Sequence, residues 1–518
     1  MTSQRTSTLR RLAITLAVAA FGAVGVTGSV RAGTATETAV MAWLDAVSPA
    51  ITIDQSNNCM AGATDAVAYR NDRIVIRSSA SNNSVTTTVN NALHVLYVTN
   101  VDYVDAIERI TFPTPPNSAP IVHVLSITLK PRNNGTQQHD ILGLARRLRE
   151  LHWPASPDYA VSSSSHNSFY QPHGAPRWVA APTPPRNNLT PANAPVGGGL
   201  PIGSGVKIEV YDTGLAPTTP AELPTTTKLS SSDNELVNRV LNDNDPLMVD
   251  YPHAGHGKAI AGVITTIAPG ATIQEARIND RDGLATDVSA ARRIASSLQT
   301  LSRANYPDIM INAFATAVCD RNPLVPGAVL QPIGLEAVVE VVDKFDPYQP
   351  DGMLIVASAG NMASTRPHYP AAFPTVLSVG ALDGNADADL SPWSSPSRTA
   401  PVADFSNRGA WVDVYGLGVD LPTTHVNGYR FDHDGPIITG AAKVDGTSYS
   451  APKVAAHIAE LMSTTGFEAR FAGGVLIDNG VDPLPQCGTN TVEAGVAIVL
   501  PSLTASIGDP ASANPVTC

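Results

Sequence analysis

The chain has 518 residues, enough for two or three domains of about 100–200 residues each. Hydrophobic residues make up 43% and charged residues 15%, a balance that excludes a disordered chain. The formal net charge of −12 argues against a nucleic-acid binder, which would carry a basic face.

Residues 1–32 have the layout of an export signal. Arg5, Arg10 and Arg11 precede an apolar run from Leu12 to Val26, and Val30-Arg31-Ala32 offers small residues for cleavage. The run is shorter than the ~20 residues that span a bilayer, so a secreted or cell-envelope protein without stable membrane insertion is expected. Cys59, Cys319, Cys487 and Cys518 suit an oxidising compartment, and their pairing stays open.

Residues 33–165 show an α+β pattern. Leu93–Val98 and Ile121–Leu129 are rich in β-forming residues, the second alternating at Ile121, His123, Leu125, Ile127 and Leu129. Ile141, Leu144, Ala145, Leu148 and Leu151 then share one face of a helix that carries Arg146, Arg147, Arg149 and Glu150 outward. A small independent domain is predicted. Residues 166–204, with Pro182, Pro184, Pro185, Pro191, Pro195 and Gly197-Gly198-Gly199, form an extended connection open to processing.

From 205 to 500 strands alternate with helices, which predicts a parallel sheet covered on both faces, followed by a tail over 501–518. Val206, Ile208 and Val210 form a strand ending at Asp212-Thr213-Gly214, and Ile309–Phe314, Met353–Ala359 and Val376–Ala381 have the apolar character of buried parallel strands. Ala259, Ile260, Val263, Ile264 and Ile267 share a face of a helix running from Lys258. A last helix follows Gly446-Thr447-Ser448, with Val454, Ile458, Leu461 and Met462 at helical spacing. Pro452 is expected in its first turn, which puts Ser448 at the helix N-terminus.

Functional groups in such sheets gather at the carboxyl ends of the strands. Asp212 stands at one such end, where a turn-capping carboxylate is the plain alternative, just as a helix cap is for Ser448. His253 and His256 lie three apart, without the spacing of a zinc-binding His-Glu-x-x-His motif. A serine nucleophile needs a base, a carboxylate to orient the base, and donors for the oxyanion. Asp212, His256, Asn361 and Ser448 supply these in an order that differs from the chymotrypsin and α/β-hydrolase orders.

The flanking residues resemble the subtilase family of subtilisin-like serine proteases (peptidase S8 type). Val206–Gly214 (VKIEVYDTG) resembles its aspartate motif, His256–Gly262 (HGKAIAG) its histidine motif, Ser358–Asn361 (SAGN) its oxyanion motif and Gly446–Pro452 (GTSYSAP) its serine motif. Tyr369–Pro374, Phe405–Gly409 and Trp411–Val414 are similar to linking blocks of the same family.

The resemblance implies a three-layer α/β peptidase domain over 205–500 and a secreted serine endopeptidase. It implies Ser448 as nucleophile, His256 as general base and acid, Asp212 as its orienting partner and Asn361 in the oxyanion hole. Phe314, Ala315 and Thr316, with Ala357, Ser358, Ala359 and Gly360, would line the substrate. Residues 33–165 resemble the family's prodomain, a chaperone and inhibitor released by cleavage. Expected partners are protein or peptide substrates and this prodomain.

No cofactor is required by this chemistry. Calcium is frequent in the family, but the alternating Asp383, Asn385, Asp387 and Asp389 lack the glycine and glutamate of a calcium loop and assign no site. Three departures stand out. Lys258 and Ala259 follow the histidine where the family has Thr-His, Asp445 precedes the serine motif, and Phe314 and Thr316 replace the serine and glycine of a Ser-x-Gly substrate strand. The last change keeps a catalytically impaired binding protein as the alternative.

Overall fold

The computed structural model describes residues 67–113, 123–133, 137–162, 201–215, 255–278, 284–300, 305–318, 329–345, 352–383, 402–427 and 439–478. It adds four short strands at 51–54, 179–180, 228–231 and 496–497. The export signal, all four cysteines, His253 and Asn385, Asp387 and Asp389 lie outside these residues.

The N-terminal part is an antiparallel sheet with two helices. Its strands are β1 (Ile51–Asp54), β2 (Val67–Arg77), β3 (Val104–Thr111), β4 (His123–Leu129) and β5 (Ala155–Ser162). β5, β2, β4 and β3 lie side by side in that order, and β1 pairs with β2. Helix α1 (Asn82–Tyr97) starts where the Ser81 hydroxyl accepts from Ser84 N, and buries Val85, Val89, Ala92 and Leu93.

This corrects the strand expected at Leu93–Val98. Leu93 completes an inward series from Val85 at helical spacing, while Val95 is 62% and Val98 94% exposed. Burial of that one face outweighs the β preference of valine and tyrosine. Helix α2 (Ile141–Glu150) follows its expected face through Leu148, capped by Asp140, but Leu151 falls at its end and is 41% exposed.

The second part is a sheet of eight strands in which every pairing is parallel. Its order is β19 (Val496–Ala497), β16 (Val414–Leu417), β15 (Leu377–Leu382), β13 (Leu354–Ser358), β11 (Ile309–Asn312), β7 (Lys207–Asp212), β9 (Thr272–Arg277) and β8 (Lys228–Ser231). Successive side chains on a strand point to opposite faces. Ile208, Val210, Ile309, Ile311, Leu354 and Val356 therefore enter one core, with helices α3 (His256–Ile267) and α6 (Thr447–Thr465). Tyr211, Met310, Ile355 and Ala357 enter the other, with α4 (Asp287–Thr300) and α5 (Ile333–Phe345). This is the three-layer α/β architecture expected, with a further helix, α7 (Ala469–Asp478), beside α6. A small antiparallel sheet sets β18 (Thr439–Val444) between β17 (Leu421–Asn427) and β6 (Val179–Ala180).

Two helix starts differ from expectation. α3 begins at His256, two residues before Lys258. Pro452 is the sixth residue of α6, not in its first turn, so the bond it cannot donate is the one to the carbonyl of Ser448.

Among the described residues, the apolar interior of the N-terminal part is continuous with the core around α4 and α5. Strand β10 (Leu284–Thr286) of the second part pairs antiparallel with β5, Leu284 opposite Ser162 and Thr286 opposite Ala160. Arg149, expected to point outward, reaches across to donate to the Val329 carbonyl at 2.8 Å, and Arg77 pairs with Glu340.

Asp158 and Asp287 are both fully buried at this junction. Asp158 accepts from Val288 N at 3.0 Å and pairs with Arg73 at 3.2 Å. Asp287 accepts from Gly334 N at 2.8 Å and Leu335 N at 2.7 Å, at the start of α5. Burial, then the neighbouring Asp158 charge, push the Asp287 carboxyl up to about 8, and burial also raises Asp158. A carboxyl raised in the folded state contributes stability that is complete below its ordinary value and is lost as pH rises through the raised one. The melting temperature of the uncut chain should therefore fall between about pH 4 and pH 8, and Asp287→Asn should flatten that fall. Thermal melts of both chains across this window check it, and parallel curves would contradict it.

Candidate active site

Asp212 is the last residue of β7, where the strand passes into the turn at Thr213. Its Oδ1 accepts from Thr213 N at 2.7 Å, which fixes the carboxylate at the carboxyl edge of the sheet. The Thr213 hydroxyl in turn accepts from Gly257 N at 3.0 Å, clamping the first turn of α3 against the end of β7. His256 opens that helix, and its Nδ1 donates to Asp212 Oδ1 at 2.7 Å. Both side chains are buried, so this bond is protected from water. A carboxylate can only accept, so the proton of a neutral imidazole sits on Nδ1 and Nε2 is its acceptor end.

Ser448 is the second residue of α6, where the helix N-terminus presents backbone N–H groups and a partial positive charge. It is buried, with Oγ 3.4 Å from the Ala313 carbonyl at the end of β11. The ring of Tyr449, the next residue, lies against the His256 imidazole with centroids 5.2 Å apart. Asp212 and His256 are thus bonded at the carboxyl edge of the sheet, and Tyr449, the neighbour of Ser448, packs on the His256 ring.

Asn361 follows β13 and turns its carbonyl end to Thr447. Asn361 Oδ1 accepts from Thr447 N at 2.8 Å and from the Thr447 hydroxyl at 2.7 Å, while the Thr447 oxygen accepts from Gly360 N at 3.1 Å. With the oxygen so engaged on the first residue of α6, Nδ2 lies on the side of Gly446, 3.4 Å from where a Cβ on that glycine would stand. Gly446 has φ 149°, a backbone conformation that residues with a side chain rarely adopt.

The Ser358–Asn361 turn has a brace whose role the sequence did not disclose. Asn407, in the block Phe405–Gly409, donates to the Ala359 carbonyl at 2.8 Å and accepts from Met362 N and Ser364 N, both at 2.9 Å. A Cβ on Gly360, at φ 100°, would stand 2.6 Å from the Asn407 amide nitrogen. The family block around Asn407 was visible in the sequence, but nothing there linked it to a turn more than 40 positions earlier.

Of the residues expected to line a substrate, Ala357 and Ser358 are buried in β13, and Ala359 and Gly360 continue from it. Phe314 is buried in the core on the α4 and α5 side. Ala315 is partly exposed. Thr316 begins β12 (Thr316–Ala317), paired with β14 (His368–Tyr369), and its hydroxyl donates to the Ala160 carbonyl of β5 at 2.7 Å. Among the described residues there is no group of three or more His, Cys, Asp and Glu placed to hold a metal, and no helix is long and apolar enough to cross a membrane.

The thermophilic serine proteinase of Bacillus sp. (strain AK1) is 28% identical over 273 residues, covering 51% of this chain and 53% of that protein. The chain thus spans about half the length of that relative. Thermitase of Thermoactinomyces vulgaris is 24% identical over 311 residues, covering 57% of this chain and 88% of thermitase. A crystal structure of fervidolysin from Fervidobacterium pennivorans, a keratinolytic enzyme related to subtilisin, aligns with a TM-score of 0.45 at 17% identity, covering 80% of this chain and 58% of fervidolysin. The model of the subtilase family matches residues 203–468, half of the chain and the stretch that carries Asp212, His256, Asn361 and Ser448, and the chain belongs to that family.

Proposed function

We propose that the protein is a secreted serine endopeptidase that cuts peptide bonds through Asp212, His256 and Ser448. The observation that carries this reading is the buried 2.7 Å bond from His256 Nδ1 to Asp212 Oδ1, beside the helix start that bears Ser448. His256 Nε2 takes the proton of Ser448 Oγ as that oxygen attacks the scissile carbonyl. Asp212 holds the imidazole in the required tautomer and stabilises the imidazolium. The oxyanion is held by Asn361 Nδ2 and a backbone N–H at the start of α6. His256 then gives its proton to the leaving amine, and water hydrolyses the acyl-enzyme by the same steps in reverse roles.

A fluorophosphonate tests this directly. The processed enzyme should be labelled on Ser448 and lose casein hydrolysis in proportion; an active enzyme labelled elsewhere would refute the assignment. Asn361→Leu should lower kcat by about 10²–10³ with little change in KM, because its amide acts on the transition state. Steady-state kinetics on one peptide separate the two constants.

The N-terminal part is proposed to be a prodomain made with the enzyme and then cut away. The support is the way β5 lies: extended and antiparallel along β10, with Thr316 bonded to the Ala160 carbonyl, as a peptide would lie across the site. Export by residues 1–32 and processing within 160–200 complete the proposal.

A further inference from the structure

Thr316 stands where subtilases commonly carry glycine, and glycine can offer a bound peptide only its backbone. Here the side chain makes a contact of its own. Thr316 is buried, and its hydroxyl donates to the Ala160 carbonyl at 2.7 Å, much closer than the Ala317 carbonyl at 3.2 Å. Ala160 faces Thr286 in the β5–β10 pairing, so its carbonyl belongs to a strand already held in register by backbone bonds. The hydroxyl and the edge strand therefore grip one residue from two sides.

We infer that Thr316 is a specificity-determining residue of this site, whose hydroxyl bonds a main-chain carbonyl of the bound peptide upstream of the bond that is cut. The inference rests on the proposed endopeptidase reading, in which a substrate takes the place of β5. The acceptor is a main-chain carbonyl, so the contact selects peptide length and extended backbone shape, not side-chain identity. A peptide too short to reach the position of Ala160 forgoes the bond. One that reaches it gains the about two- to tenfold that a single net hydrogen bond confers.

The test uses processed wild-type enzyme, Thr316→Val and Thr316→Ser on peptides that share one C-terminal sequence and grow residue by residue toward the N-terminus. Valine keeps the shape of threonine and removes the donor; serine keeps the donor. The readout is the ratio of kcat/KM between successive lengths. Wild type and Thr316→Ser should show a step of about two- to tenfold at one length, and Thr316→Val should lose that step. A step that survives in Thr316→Val, or its absence from all three enzymes, overturns the inference and leaves the endopeptidase reading standing. Wild-type enzyme that cuts none of the peptides, nor casein, overturns both.

Discussion

Ser448→Ala should lower peptide hydrolysis by about 10⁶ and leave the N-terminal part attached to the chain. The size follows from what the hydroxyl supplies. Without Oγ there is no acyl-enzyme, and His256, however well held by Asp212, has no proton to take. What is left is water attacking a carbonyl polarised by Asn361 and the start of α6, worth roughly 10³–10⁴ over solution. The substitution is mild for the fold, because Ser448 lies in the first turn of a helix buried through Val454, Ile458 and Leu461. Loss of activity with an unchanged melting curve would therefore report chemistry, not unfolding. Two measurements check it: kcat/KM on a peptide, and N-terminal sequencing of the expressed chain. The alanine chain should accumulate uncut, while the parent loses residues up to a point within 160–200. An alanine chain that is processed and digests casein as the parent does would remove Ser448 from the mechanism.

The parts of this protein that were legible in its sequence share a physical cause. Buried parallel strands must be apolar on both faces, so Ile309–Asn312, Leu354–Ser358 and Leu377–Leu382 announce themselves by composition. Asp212 closes a strand, and His256, Asn361 and Ser448 sit in turns and helix starts, where flanking glycines leave a readable motif. Other features come from pairs far apart in the chain. Leu93–Val98 has the composition of a strand, and only the core beneath Val85, Val89 and Leu93 makes it helical. Arg149 looks like one more arginine on a solvated face until the Val329 carbonyl comes within reach. Asp158 and Asp287 are 129 positions apart and unremarkable singly; burial at the junction makes them a coupled pair. Thr316 was legible as a departure, but its partner Ala160 lies far away in the N-terminal part.

Asp212→Ala should cost about 10⁴ in kcat, less than loss of the nucleophile but more than loss of the oxyanion amide. Removing the carboxylate leaves His256 Nδ1 buried without its acceptor and leaves the imidazolium of the transition state without a counter-charge. Asparagine in the same place should do better than alanine, for a reason specific to this geometry. A single oxygen, Oδ1, accepts both from His256 Nδ1 and from Thr213 N, each at 2.7 Å. In Asp212→Asn, an amide that keeps its oxygen toward Thr213 N also keeps an acceptor for His256 Nδ1, so the working tautomer survives and only the charge is lost. In the opposite orientation the amide nitrogen would face two donors at once, which the Thr213 backbone forbids without a lost hydrogen bond. Kinetics of Asp212→Ala and Asp212→Asn on one peptide, with active-site titration to count competent enzyme, decide between these. Higher activity in Asp212→Asn than in Asp212→Ala is the expected order. Equal losses would mean that the amide has turned its nitrogen to the imidazole, and that Thr213 does not control the carboxylate as its 2.7 Å bond implies.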